Sequence, residues 1–237
     1  LGAVADIIVR RRETGGLVNI QATNAPHMLF SEDNVVAKFN HNKSQWGLFY
    51  NLSARNFKKT YTDIDETYVL ENKTIHRVQE GLHDQNKHFT HNIDLSYNLT
   101  EQDKYVFNVV FRNSIYDAPS LNQSNKLYDA ADADNYIFSR LKNKQSSYTP
   151  SLDLYYQRTL PKNQMLTMSV TGTLMHTDNN RLYHEYTPQA EDLAMLETDV
   201  TGNKRSIIGE AIYDKRFKSL VFSSGLRHYR MYARNEY

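Results

Sequence analysis

The chain of 237 residues is close to neutral, because 28 lysines and arginines stand against 27 acidic residues for a formal net charge of +1. This balance gives no electrostatic reason to expect a nucleic acid as partner. The mean hydropathy of −0.67 and the lack of any run of about 18 apolar residues exclude a helical membrane protein. The absence of cysteine excludes disulfides and cysteine-ligated zinc.

Nine segments show the alternation of apolar and polar residues that is typical of β-strands. In chain order they comprise residues 17–23, 34–41, 46–55, 89–99, 104–112, 147–160, 164–174, 204–217 and 219–230. The pattern is clear in QMLTMSVTGTL, residues 164–174, where Leu166, Met168 and Val170 lie on one side and serine and threonines on the other. The sequence therefore predicts an all-β fold.

Short and long connections alternate between these strands. Tight turns are predicted at residues 42–45, 100–103, 161–163 and 218–219, and long loops at residues 56–87, 113–146 and 176–203. In an up-and-down antiparallel sheet, consecutive connections fall at opposite ends, so all short turns share one end. This order matches an outer-membrane barrel whose apolar faces meet lipid and whose polar faces meet a wet lumen.

A soluble β-sandwich or up-and-down sheet with long loops would show the same alternation, with the apolar face on a packed core. Soluble domains rarely carry several structureless loops of this length, which favours the barrel. Tyr97, Tyr105 and Tyr156 lie near predicted turns, where an interfacial aromatic belt would stand. Tyrosine also favours strands in general, so the soluble alternative stays open.

The segment GAVADIIVRRRETGGLVNIQATNAP, residues 2–26, carries a small apolar strand, basic residues and a Gly-Gly pair. The residues concerned are Gly2, Val4, Ile7, Ile8, Arg10, Arg11, Arg12, Gly15 and Gly16. In this pattern the segment resembles the junction between plug and barrel in TonB-dependent outer-membrane receptors. The segment GNKRSIIGEAIYDKRF, residues 202–217, is similar to a hairpin of the same family's barrel.

The resemblance implies that residues 1–16 end a plug domain and that residues 17–237 form the first part of an antiparallel up-and-down transmembrane β-barrel. The chain would then be a partial barrel fragment of roughly nine strands with a last plug strand. Such a sheet would leave two unpaired edges in lipid.

The function that this implies is active transport by a receptor in the bacterial cell outer membrane. The receptor would capture a scarce solute, such as a siderophore, glycan or peptide, and import it with energy supplied by TonB, without catalysis and without a cofactor. Its expected partners are outer-membrane lipid, the TonB complex bound through a segment outside this chain, a surface lipoprotein, and an extracellular small or oligomeric ligand.

Two alternatives from other classes remain. A soluble or cell-surface β-rich binding module or glycan hydrolase would use the long loops to build its site. An outer-membrane barrel without TonB coupling would share the strands and lack the plug. Dependence on detergent distinguishes the soluble class from both membrane classes.

Neither catalytic nor metal-binding residues are predicted. His83, His88 and His91 lie close in sequence, but His88 and His91 point to opposite faces of a strand and the set has no standard ligand spacing. The acidic segment DAADADN, residues 129–135, lacks the glycine and the distal glutamate of an EF-hand loop. The sequence contains no nucleophile elbow, P-loop or H-E-x-x-H motif.

The candidate substrate-binding residues fall into two groups. Six polar residues on the lumen side of predicted strands could contact a plug or a substrate path: Asn92, Asp94, Asn108, Arg112, Asp153 and Glu210. Five residues of a predicted long loop could select the ligand: Tyr116, Asp117, Tyr128, Asp132 and Tyr136.

Overall fold

The structure, a computed structural model, describes residues 14–25 and 30–236, which form eleven β-strands. They are β1 (Thr14–Ala25), β2 (Phe30–His41), β3 (Ser44–Thr60), β4 (Ile64–Leu70), β5 (Lys73–Leu82), β6 (Asp84–Glu101), β7 (Tyr105–Asp129), β8 (Asp132–Leu160), β9 (Gln164–Tyr186), β10 (Asp192–Arg216) and β11 (Val221–Glu236). In this part of the chain, no helix has the length and apolar character needed to cross a membrane.

Nine of the strands form an antiparallel meander in the order β1-β2-β3-β6-β7-β8-β9-β10-β11. Each of them overlaps one of the nine predicted segments, with differences of at most two residues at the turns, so the prediction of an all-β antiparallel sheet is confirmed. The sheet is not closed into a barrel, since among the described residues β1 pairs only with β2 and β11 pairs only with β10. Of the predicted plug segment, residues 1–16, the first thirteen lie outside the described residues and the last three begin β1.

The segments predicted as long loops are mostly β-structure. Residues 113–146 complete β7 and begin β8, with a turn at Ala130 and Ala131, and residues 176–203 complete β9 and begin β10. The alternation of apolar and polar residues is weak there because both faces carry polar side chains, as in HTDNNRLYHEY of β9. The backbone nevertheless pairs through continuous antiparallel ladders, which satisfy its hydrogen bonds without an apolar face.

The hairpin of β4 and β5 lies outside the meander. It occupies part of the segment 56–87, while β3 pairs directly with β6 and β5 pairs with the far part of β7, from Leu82 opposite Ser124 to Arg77 opposite Asp129. Gly81 allows a close crossing, since a Cβ at this position would stand 2.5 Å from the backbone nitrogen of Thr62. Sequence alternation did not reveal this hairpin.

The four tight turns all lie at one end of the sheet, which we call the turn end; the opposite end is the far end. Left-handed backbone at Asn42, Asp103 and Asn163, with φ of 50°, 61° and 56°, closes three of these turns. The β7–β8 and β9–β10 hairpins extend to the far end, where they turn at residues 130–131 and 187–191. The four tight turns therefore share one end, as predicted, whereas the segments predicted as long loops reach the far end mainly as paired strands.

The pairing register gives the sheet two chemically distinct faces, because directly paired residues share a face. The apolar face carries rows such as Val109, Leu154 and Val170, and the polar face carries rows such as Asp153 and Thr171. Buried hydrophobic residues are few in the described chain: Ala54, Ala118 and Leu127. The sheet is thus a single layer, with its apolar face uncovered.

Candidate functional site

All six lumen candidates lie on the polar face. Alternation along β6, β7, β8 and β10 and the register between these strands place them there: Asn92, Asp94, Asn108, Arg112, Asp153 and Glu210. The sheet brings four of them into neighbouring rows and leaves Asn108 and Glu210 apart. Asn108 lies opposite Asn98, and Glu210 lies between Ser169 and Arg227.

Arg112 is the centre of a charged cluster across three strands. Its guanidinium forms an ion pair with the carboxylate of Asp153 on β8, and Asp94 lies directly opposite it on β6. The hydroxyl of Thr171 donates a hydrogen bond to the second carboxylate oxygen of Asp153 at 2.8 Å. The Arg112 side chain remains 50% exposed, so the cluster can still present donors and acceptors to a ligand above the polar face.

A row of amide side chains runs beside this cluster. The Nδ2 of Asn51 donates to Oδ1 of Asn34 at 2.8 Å, and the Nδ2 of Asn92 donates to Oδ1 of Asn51 at 3.3 Å. Ser114 Oγ then donates to Oδ1 of Asn92 at 2.8 Å, which extends the row over β2, β3, β6 and β7. These contacts hold the polar face in a defined arrangement and suit a wet environment, since each group is still half-exposed or exposed.

Two of the five loop candidates, Tyr128 and Tyr136, pair with each other near the far end of the sheet. They belong to a group that we call the aromatic platform: Lys126, Tyr128, Tyr136, Phe138, His184 and Tyr186. The ammonium of Lys126 lies 4.8 Å and 4.5 Å from the ring centroids of Tyr128 and Tyr136. Phe138 stacks on Tyr186 at 5.4 Å.

Hydrogen bonding fixes one edge of the aromatic platform. The hydroxyl of Tyr128 donates to the carboxylate of Glu80 on β5 at 2.8 Å, and this bond raises the pKa of Tyr128. His184 and Tyr186 are each an even number of residues from Met168 along β9, and the pairing of β9 with β8 has no bulge over this range. The three side chains therefore lie on the same face. The aromatic platform therefore continues the side of the sheet that carries the apolar face.

The other three loop candidates lie outside the aromatic platform. Tyr116 stands further from the far end, with its ring 6.2 Å from that of His88, and Asp117 follows it on an exposed position. Asp132 begins β8 opposite Asp129. Sequence reasoning missed Lys126, Phe138, His184 and Tyr186 because it assigned their segments to loops.

The histidines that we considered as metal ligands have separate surroundings. His83 stacks on Tyr61 at 5.4 Å, and His91 Nδ1 is hydrogen-bonded to the Tyr50 hydroxyl at 2.8 Å. Within residues 14–25 and 30–236, no group of three or more histidine or acidic side chains is placed to hold a metal ion.

Comparisons with known proteins find no relative for this chain. No family model matches it, and neither a curated protein nor a solved structure matches it.

Proposed function

We propose that this chain is part of a receptor that imports a scarce solute across the bacterial outer membrane with energy from the TonB complex. The observation that carries the proposal is the single-layer sheet, which has one uncovered apolar face and one hydrogen-bonded polar face. In a barrel wall the first face meets lipid and the second meets the lumen, so both faces have a suitable solvent.

The exposure of large apolar side chains supports a lipid environment. Leu48, Leu95 and Leu152 form one row on the apolar face, and they are 36%, 46% and 42% exposed. Similar rows continue on both sides of it, over nine strands. Soluble monomers rarely leave large contiguous apolar surfaces in water, so an exposed apolar face of this kind favours lipid.

The open edges and the motif at residues 2–26 support the finer interpretation as a partial barrel. Unpaired strand edges are costly in lipid, which favours closure of the wall by strands beyond the described residues. Gly15 and Gly16 of the motif lie in β1, and its other matching residues lie outside the described part of the chain. The family assignment thus rests on the resemblance in sequence.

The two candidate surfaces suit different partners in this arrangement. The cluster around Arg112 lies on the polar face, where it could contact a solute or a plug within the lumen. The aromatic platform faces the opposite side, beyond the apolar rows, where a surface lipoprotein could reach it. We therefore assign solute contact to Arg112, Asp94 and Asp153 in preference to Tyr128 and Tyr136.

Detergent phase partition of the full-length protein tests the proposal. The receptor should enter the detergent-rich phase of Triton X-114, while a periplasmic protein from the same cells serves as the aqueous control. Recovery in the aqueous phase would contradict a membrane location and would favour the soluble binding module or glycan hydrolase. Detergent partition together with function that is unaffected by loss of TonB would favour an uncoupled barrel.

A further inference from the structure

A small polar pocket lies where the β4–β5 hairpin joins the meander. The pairing of β3 with β6 ends at Thr60 and Asp84, and the pairing of β4 with β5 begins at Ile64 and Gln79. The intervening residues 61–63 and 80–83 interrupt the ladder, and a cavity of about 120 Å³ adjoins this break against β7. We call this cavity the hairpin pocket.

Oxygen atoms line the hairpin pocket almost throughout. Every lining residue except Leu82 carries a side-chain oxygen, and no lysine, arginine or histidine of the described chain is among them. Hydrogen bonds fix this frame. The side-chain amide of Asn86 donates to Thr60 Oγ1 on β3, and its oxygen accepts from the backbone N–H of Asn122 on β7 at 2.7 Å. The oxygens of three strands are therefore held around one cavity.

Asp84 is the acidic residue of the lining. The residue is 9% exposed, and its Oδ1 accepts a hydrogen bond from Ser124 Oγ at 3.1 Å. Its Oδ2 is buried and has neither a hydrogen-bond partner nor an ion pair within the part of the chain that the structure describes. A buried carboxylate without a counter-charge is costly, so this group favours a positively charged ligand.

The charge and the ligand atoms define the class of cation. One carboxylate neutralises one positive charge, whereas a divalent ion would keep an uncompensated charge in a secluded pocket. Carboxylate, hydroxyl and amide oxygens suit hard metal ions, and a site with a single charged ligand holds calcium only weakly. The volume admits an ion with two or three water molecules at about 30 Å³ each.

We propose that the hairpin pocket binds a monovalent metal cation, sodium or potassium, through Asp84 and the neutral oxygens around it. The terminal torsion of a carboxylate is broad, so Oδ2 can turn toward the cavity. The bound ion links β3, β6 and β7 where the ladder is interrupted, and it thereby fastens the base of the β4–β5 hairpin. This inference goes beyond the proposed function and does not depend on the membrane location, because polar side chains of the strands form the pocket.

Hydrogen exchange of the full-length protein in detergent, followed by mass spectrometry, tests the site. The protein is compared in sodium chloride, potassium chloride and N-methyl-D-glucamine chloride at equal ionic strength, the last cation being too large for the pocket. Exchange of residues 60–63 and 80–86 should slow about tenfold in at least one metal salt, as expected for a Kd of about 10 mM at about 100 mM salt. Protection by one metal identifies the ion, and protection by both shows a site that does not distinguish them.

Asp84→Asn removes the charge and keeps the shape, so it should abolish the difference between the salts. Asp199→Asn is the matched control, since Asp199 is an exposed carboxylate of β10 outside the pocket, and it should retain the full difference. Ser124→Ala keeps the carboxylate and removes one oxygen, so protection should need a higher salt concentration. Exchange of residues 147–174 reports whether each variant is folded.

Equal exchange of the wild-type pocket segments in all three salts would overturn the inference. Metal-specific protection that persists in a folded Asp84→Asn variant would overturn it as well. Neither result bears on detergent partition, so the proposed function would stand or fall separately.

Discussion

Neighbouring residues along one strand meet different solvents if the sheet forms part of a barrel wall. Val109 and Met168 lie on the apolar face, well inside the strands from the turn end, and Asn108 and Thr167 lie on the polar face beside them. Val109→Arg or Met168→Arg should cost about 2 to 4 kcal/mol in the free energy of unfolding, because arginine near the bilayer midplane loses its hydration. Urea titration of the protein in lipid vesicles measures this cost.

The matched controls are Asn108→Arg and Thr167→Arg, which place the same charge in the wet lumen. We expect their costs to be much smaller than those of the variants on the apolar face. Equal costs on the two faces would contradict the assignment of lipid and lumen.

Glu101 forms the densest ion-pair site at the turn end. Its carboxylate lies 2.6 Å from Nζ of Lys104 and 2.8 Å from Nζ of Lys43, and the hydrogen bonds from these two lysines lower the pKa of Glu101 to about 2. A carboxylate with a lowered pKa adds stability above its ordinary pKa near 4.5, and this contribution is lost as the pH falls toward 2.

Glu101→Gln should therefore flatten the decrease in unfolding midpoint between about pH 4.5 and pH 2, while leaving the neutral-pH fold intact. Denaturant titrations at several pH values measure the slope. Glu197→Gln is the control, because Glu197 forms no ion pair among the described residues. An unchanged slope in Glu101→Gln would show that the two lysines do not hold this carboxylate in solution.

At the scale of elements, the long hairpins determine which parts of the chain are accessible. The β7–β8 hairpin turns at Ala130 and Ala131, so an epitope inserted after Ala130 leaves β7 paired with β8. Insertion between Asn122 and Asp129 would break this pairing. An epitope after Ala130 should be detected on intact cells, and one at Glu101 or Asn163 only after permeabilisation of the outer membrane. Antibody labelling with and without permeabilisation measures both.

Surface labelling of the Glu101 insertion on intact cells would contradict the topology. The Asn163 insertion tests the accessibility of the turn end independently, because Asn163 lies in a different turn, the one between β8 and β9. Agreement between the two turn-end tags shows that the strands are counted correctly.

The sequence predicted the strands whose two faces differ in polarity and missed those whose faces are alike. Residues 164–174 alternate clearly, but the continuation of β9 to Tyr186 has polar residues on both faces and gave no period. The β4–β5 hairpin was missed because its seven and ten residues lie within a segment rich in charge. Hydrogen-bonded ladders, which leave no pattern in side-chain polarity, determine these parts of the fold.

The candidate site was predictable to the extent that it depends on alternation. Alternation within each strand predicts which of its residues lie on the polar face, and it placed all six lumen candidates there. The ion pair of Arg112 with Asp153 depends in addition on the register between β7 and β8. A single sequence does not contain that register. The aromatic platform was recognisable through the i, i+2 pairs Tyr136 with Phe138 and His184 with Tyr186, once these segments are taken as strands.

At the scale of the whole molecule, the meander has two free edges among the described residues. β1 and β11 each have one neighbour, and their other backbone groups face no strand. Free edges of this length act as templates for pairing with another chain. The isolated 237-residue chain in detergent should therefore associate as its concentration rises, which light scattering after size exclusion measures.

Proline at an edge position should weaken this association, because it removes a backbone donor. Tyr229→Pro in β11 tests one edge, because the backbone N–H of Tyr229 points away from β10, and Leu154→Ala in the sheet interior is the control that leaves both edges unchanged. A monodisperse wild-type chain across the concentration range would contradict edge pairing.

The β4–β5 hairpin has a consequence for the order in which the sheet assembles. In every other pair of neighbouring strands in the meander, a short connection joins the two strands, so their pairing costs only the entropy of closing a short loop. The exception is the pair β3 and β6, which are separated by residues 61–83. The turn at Glu71 and Asn72, both left-handed with φ of 47° and 65°, allows β4 and β5 to pair locally. Once they have paired, the ends of the intervening segment lie together, and Thr60 Oγ1 donates to the carbonyl of Asp84 at 3.1 Å. A hairpin formed early thus converts the longest closure in the chain into a short one, and the two halves of the sheet can join along β3 and β6 without a long search.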